Sequence, residues 1–419
     1  MAACARAAGP SQPGVKMKTV SIALLAGIVC CAFVRPAAAA AAASYTEKVV
    51  WSFRHGTDGH YPSASLIDVG GVLYGTTLGG GGTGCKQRHR PHGCGTVFAF
   101  NPGSGAERVL YSFAGGTDGF SPEAGLIDVR GILYGTTANG GGLRKDCKHK
   151  CGIVFLIDPN TGAETVLHSF LRRPEGLEPE ADLVYLRGKL YGTTAESDAY
   201  DGGTVFSISL HHDAVRVVHS FSGGTDGGYP LAGLIDLDGT LYGTTARGGA
   251  HDDGTVFSLD PGTGAETVIH SFYESGHKDG SYPVGGLTAD SNGILYGTTV
   301  FGGAHREGTV FALDPTTGAE TVLHSFGGRD DGQDAEAGLI DVKGMLYGTT
   351  RSGGTHGWGT VFSVDADTGA ETVLHSFAAG ADGAYPQAGL IDVDSTLYGT
   401  TEWGGVHHRG TIFALTKDR

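Results

Sequence analysis

An all-β fold, a seven-bladed β-propeller of four-stranded antiparallel blades, is what this sequence predicts, and three observations predict it. The motif YGTT recurs seven times, starting at Tyr74, Tyr134, Tyr191, Tyr242, Tyr296, Tyr347 and Tyr398, at spacings of 51 to 60 residues. Each copy carries four short apolar runs with the length of strands, not helices. The chain ends also hold complementary parts of one repeat: TEKVVWSF at 46–53 is a fourth run without a repeat, and the last repeat stops after its third run, GTIFAL.

Within a repeat the first run reads GLIDV and the second LYGTT, and a tight turn such as DVKG at 341–344 joins them. The third run, GTVF, leads through DPTTGAE at 314–320 into the fourth, ETVLHSF. Asp, Pro and Gly in that connection are turn formers, so each repeat is a meander of hairpins. A single sheet that is apolar on both faces needs neighbours to cover it, and radial repetition supplies them. The split repeat predicts that the N-terminal strand completes the C-terminal blade and closes the ring without a free edge.

LYGTT, the paired glycines that follow it, GTVF and the TVLHSF strand resemble the GloVer tandem repeats of bacterial choice-of-anchor proteins. The resemblance covers residues 46–419. It implies an exported bacterial protein of undefined biochemistry, often with a variable C-terminal anchor; here the chain ends at Arg419, directly after the last strand.

Composition narrows the rest. The stretch from Met17 has Lys18, an apolar run from Val20 to Val34 and an alanine-rich segment with several small-x-small cleavage sites. We read residues 1–43 as a signal peptide, with Met17 as the start of translation, and 44–419 as one propeller domain. The apolar run is shorter than the roughly 20 residues that span a bilayer, so no membrane span is expected in the mature chain. Residues 1–43 carry four basic residues, Arg6, Lys16, Lys18 and Arg35, and no acid, so their removal moves the net charge from −15 to −19. An acidic chain without a basic patch is a poor partner for nucleic acid. The expected location is secreted or periplasmic, and the expected state is a monomer.

In a meander the second-to-third loops and the loops entering each blade share one face, the top face. These loops vary while the bottom turns are uniform, and variable loops on a rigid scaffold are where binding resides. Four residues before the Thr or Ile of each GTVF run stand His92, His149, Tyr200, His251, His305, His356 and His407. Phe301, Trp358 and Trp403 lie in the same loops and offer stacking surfaces. These ten residues are the expected ligand surface. The same histidines also suit plain loop packing.

Each incoming loop carries an acid before a glycine, from Asp58 in the first to Asp382 in the last, which is also ordinary turn chemistry. A second series on the fourth strand, His168, His219, His270, His324 and His375, alternates with Trp51 and Tyr111 at the same position and reads as packing between blades. Blade three is locally acidic, with Glu175, Glu178, Glu180, Asp182, Glu196 and Asp198. Four cysteines remain in the mature chain, and export favours the disulfides Cys85–Cys94 and Cys147–Cys151. Zinc is the competitor there, with His89, His92 and His149 close by.

The function these features support is a binding or scaffolding module for a glycan, peptide or protein partner. The alternatives are an extracellular polysaccharide lyase or hydrolase, and a metal-binding surface protein. The candidate polar residues repeat almost symmetrically, whereas a catalytic centre needs one particular acid, base or nucleophile, so no catalytic residue, metal ligand or cofactor is assigned.

Overall fold

The computed structural model describes residues 44–54, 56–82, 85, 93–142, 151–171, 175–197, 202–211, 215–274 and 279–418. The expected signal peptide lies outside them. Seven four-stranded antiparallel sheets form, one per repeat, and six of them run in chain order from inner to outer strand. In the sixth blade the strands are Ile340–Val342, Met345–Thr350, Thr360–Asp365 and Glu371–Ser376. A 3₁₀ turn forms at Gly116–Asp118.

Closure follows the expectation. Tyr45–Ser52 pairs antiparallel with Thr411–Lys417, from Tyr45 opposite Lys417 to Ser52 opposite Thr411, and takes the outer place in the seventh blade. Even its irregularity conforms to the repeat: the register shifts between Val49 and Trp51, as it does at Val361 and Phe362 in blade six.

Two features of the repeat explain how blades pack. The YGTT glycine is a hole for the Phe of GTVF: a Cβ on Gly348 would lie 2.6 Å from Phe362 and 2.7 Å from Leu339. That Phe in turn receives the Phe of the preceding HSF strand edge-on, as in Phe326–Phe362 and Phe377–Phe413 at 5.1 and 5.2 Å. T-shaped pairs of this kind are favoured beyond their buried area, and here they tie each blade to the next. The two threonines of YGTT divide the remaining polar work. Thr350 Oγ1 shares a hydrogen bond with Thr360 inside its own blade at 2.8 Å, while Thr349 Oγ1 donates to the Ala388 carbonyl of the next blade at 3.0 Å.

The glycine of GTVF has a backbone reason. Gly359 has φ +98°, and a Cβ there would meet the Thr350 carbonyl at 2.4 Å. The chain thus turns tightly from the top loop into the third strand.

Candidate functional site

Top-face loops are pinned down, not trailing. In all seven blades the incoming loop forms an antiparallel bridge with the second-to-third loop, for example Gln333 with Ser352 and Ala384 with Trp403; in the fifth blade Gly280–Ser281 pairs with Phe301–Gly302. One residue beyond the bridge, the backbone of the incoming loop meets the neighbouring blade. There Tyr61, Tyr229, Tyr282 and Tyr385 adopt positive φ, between +56° and +60°. Such a conformation is rare for a bulky residue and marks a position held by its surroundings. Tyr385 shows how: its N–H donates to the Trp358 carbonyl at 3.0 Å, and its carbonyl accepts from Glu402 at 3.0 Å.

These tyrosines carry the aromatic residues singled out in the sequence. Trp358 packs edge-on against Tyr385 at 5.2 Å, Trp403 lies tilted on Tyr61 at 4.9 Å, and Phe301 stands 5.9 Å from Tyr282. Each outer ring keeps a free face, with Trp358 37%, Trp403 42% and Phe301 46% exposed. Guanidinium groups complete two platforms: Arg351 lies over Tyr385 at 5.2 Å, and Arg409 lies over Tyr61 and donates to its hydroxyl. The sequence reading missed the tyrosines. Their signal was the Tyr-Pro pair in four of the seven incoming loops.

His251, His305, His356 and His407 are exposed on their loops. The His251 ring approaches Tyr273 at 4.1 Å, so in blade four the loop imidazole has an aromatic neighbour within its own blade. His92, His149 and Tyr200 lie outside the described residues. His356 lines a cleft of about 510 Å³ over blade six, whose walls include Arg329, Asp330, Gln333, Thr355, His356 and Tyr385. It offers hydrogen-bond donors, acceptors and a ring face within one concave surface.

A second cavity, about 330 Å³, is the central channel, walled by the segments just ahead of the inner strands. Asp182 stands where five blades have glycine and one has Ser65, and its Oδ1 accepts the Gly125 N–H at 2.5 Å. Burial raises its carboxyl above the ordinary value, against the pull of that N–H. Glu123, Glu180 and Glu336 line the same space. Burial also raises Glu336, and Arg351, whose Nε lies 4.0 Å from Oε2, opposes this. The channel mouth is therefore acidic, and the acidity of blade three contributes to it through Glu180 and Asp182.

The acids of the incoming loops have a different task. Asp331 accepts the Gly327 N–H at 2.7 Å, and Asp382 accepts that of Ala378, capping the end of the fourth strand as turn chemistry predicts. Their other partners are the fourth-strand imidazoles: His324 Nε2 lies 3.1 Å from Asp331, and His375 Nε2 3.2 Å from Asp382. Those rings also meet Phe326 and Phe377, two residues further along the same chain segment, edge-on. Cys85 and Cys94 are joined, with Cα atoms 5.2 Å apart. Cys151 is disulfide-bonded too, and its expected partner Cys147 lies outside the described residues.

Fold and loop face together define the class: a closed β-propeller repeat protein that presents pinned, variable loops on one side of a rigid ring. The chain belongs to the Gloeobacter/Verrucomicrobia repeat family, whose profile matches residues 143–344 and 328–419. No curated protein matches the sequence. Among solved structures it is similar to an oligogalacturonate lyase in complex with manganese (10% identity, 90% of this chain, 99% of that one, TM-score 0.54). It is also similar to the oligogalacturonate lyase of Vibrio parahaemolyticus (9%, 89% and 97%, 0.52) and to a europium-containing methanol dehydrogenase (11%, 88% and 93%, 0.52). At these identities the likeness is one of fold. No helix among the described residues is long and apolar enough to cross a membrane.

Proposed function

We propose that the chain is an exported binding module that holds a glycan on its top face, centred on the cleft of blade six. The observation that carries this reading is the cleft itself: about 510 Å³, walled by Arg329, Asp330, Gln333, His356 and the ring of Tyr385, which Trp358 extends outward. Sugars present hydroxyls at their edges and C–H faces above and below, so a site for them pairs planar polar side chains with exposed rings. The second aromatic platform, Trp403 on Tyr61, gives a long ligand another ring to lie on. Export is supported by the N-terminal segment and by the Cys85–Cys94 bridge, which suits an oxidising compartment.

The fold likeness to oligogalacturonate lyases keeps catalysis as the second reading. Charge weighs against their substrate: a polyuronate approaching this face meets Glu123, Glu180 and Glu336 around the channel. A glycan array followed by turnover assays on each hit tests the proposal. Saturable binding without product is expected. Product release would establish the enzyme, and binding confined to peptides or proteins would overturn the glycan assignment.

A further inference from the structure

The outer rim of the ring carries a constellation that the top-face reading does not use. Where the fourth strand of one blade meets that of the next, a histidine and the acid of the incoming loop face a glutamate from the neighbouring blade. Three such sets are complete: His270, Asp279 and Glu320; His324, Asp331 and Glu371; His375, Asp382 and Glu47. In each set one imidazole nitrogen and two carboxylate oxygens lie within 4.8 Å of one another. The imidazole-to-aspartate distances are 3.1, 3.1 and 3.2 Å.

A second observation concerns the seam glutamates. Oε1 of Glu47, Glu320 and Glu371 is shielded from water and has no hydrogen-bond partner, as is that of Glu107, Glu164 and Glu266 at other seams, but only the first three stand in a complete His, Asp and Glu set, and Asp331 Oδ1 in one of those sets is orphaned too. A buried carboxylate oxygen with nothing to accept from is costly, so a site that gathers several of them beside an imidazole is short of a positive centre. At zinc bond lengths of about 2.0–2.2 Å, two ligand atoms of one tetrahedron stand roughly 3.4 Å apart, close to the imidazole-to-aspartate spacing found here.

We propose that these three inter-blade seams are divalent transition-metal sites, each holding one zinc-like ion between His, Asp and Glu and so clamping adjacent blades. The donor set, one imidazole and two carboxylates, leaves a position for water, and the aspartates, 16% to 23% exposed, give the ion a way in.

The other seams show what disqualifies a site. Trp51 and Tyr111 replace the histidine beside Asp58 and Asp118. Val215 takes the glutamate's place next to His168 and Glu175, since it pairs with Ile208 as Glu266 pairs with Leu259. At the seam of His219, Asp226 and Glu266 the three donor atoms do not gather within 4.8 Å of one another, and Ser222 Oγ donates to Asp226. Among the described residues the set is therefore complete at three seams.

Zinc chloride titrated into the metal-free whole chain, followed by calorimetry and elemental analysis, tests this. About three ions per chain are expected, and zinc should raise the melting temperature. Each of Glu47→Gln, Glu320→Gln and Glu371→Gln should remove one ion. A triple variant, His270→Tyr, His324→Tyr and His375→Tyr, should lose all three while keeping its fold, because the first repeat already accepts Tyr111 at that position. Absence of saturable binding, or three ions retained by the triple variant through exposed loop histidines, would overturn the proposal.

Discussion

Phe53 meets Phe98 edge-on with ring centroids 5.1 Å apart, and this contact belongs to the seam where the ring closes. Phe53 follows the N-terminal strand that completes blade seven, while Phe98 is the GTVF phenylalanine of blade one. Both are fully buried. Removing residues 44–53 should expose a sheet edge and this seam together and lower the melting temperature steeply. Phe53→Ala alone should cost about 3–5 kcal/mol in denaturant unfolding. Unchanged melting of a chain starting at Gly56 would contradict the closed ring.

The YGTT glycines make a test of packing. Gly348→Ala places a Cβ 2.6 Å from Phe362 and should cost about 1–3 kcal/mol through overpacking. Gly286→Ala, in the channel wall, meets nothing within 4 Å and should change stability by less than about 0.5 kcal/mol. Equal effects in thermal melts would mean that the Phe-over-Gly contact does not hold the blades.

Reducing or deleting the Cys85–Cys94 bridge should loosen the first top loop without opening the ring. Its sequence separation of 9 corresponds to about 2–3 kcal/mol on the loop-entropy scale. Peptide mapping without reductant should recover the linked pair, and Cys85→Ser with Cys94→Ser should melt at a lower temperature but in one transition.

Stability should fall as pH rises from about 5 to 9. Burial, followed by the charge and hydrogen bond of Asp58, pushes Glu107 up to about 9, and burial next to Asp118 pushes Glu164 up to about 7. A carboxyl raised in the folded state adds stability below its unfolded value of 4.5, and that contribution is lost as pH rises through the folded value. Glu107→Gln with Glu164→Gln mimics the protonated forms and should flatten the slope. Denaturant curves at pH 5, 7 and 9 read it out, and a slope that steepens in the variant would reverse the assignment.

Trp358→Ala and Trp403→Ala together should weaken ligand binding at least tenfold. Each ring is also packed on a tyrosine, so each truncation should cost about 1 kcal/mol of stability. Replacing His251, His305, His356 and His407 separates the two roles of the loop imidazoles. Lost affinity at constant melting temperature assigns them to the ligand, and the opposite pattern assigns them to packing.

The sequence alone determined the architecture, because a propeller is specified by local, repeated information. Strand length, turn residues and the split repeat at Tyr45–Ser52 and Thr411–Lys417 suffice to count and close the blades. It also marked Trp358 and Trp403, which depart from the repeat, and His356, which recurs in it. The tertiary structure decided what those residues face. Tyr385 comes from the loop entering blade seven yet receives Trp358 and Arg351 of blade six, and Glu371 reaches the His324–Asp331 pair of blade five only across a seam. Such neighbours lie one blade apart, and a sequence period cannot show them, because it fixes where a residue stands in its own repeat and is silent on the rotation that brings the next repeat against it.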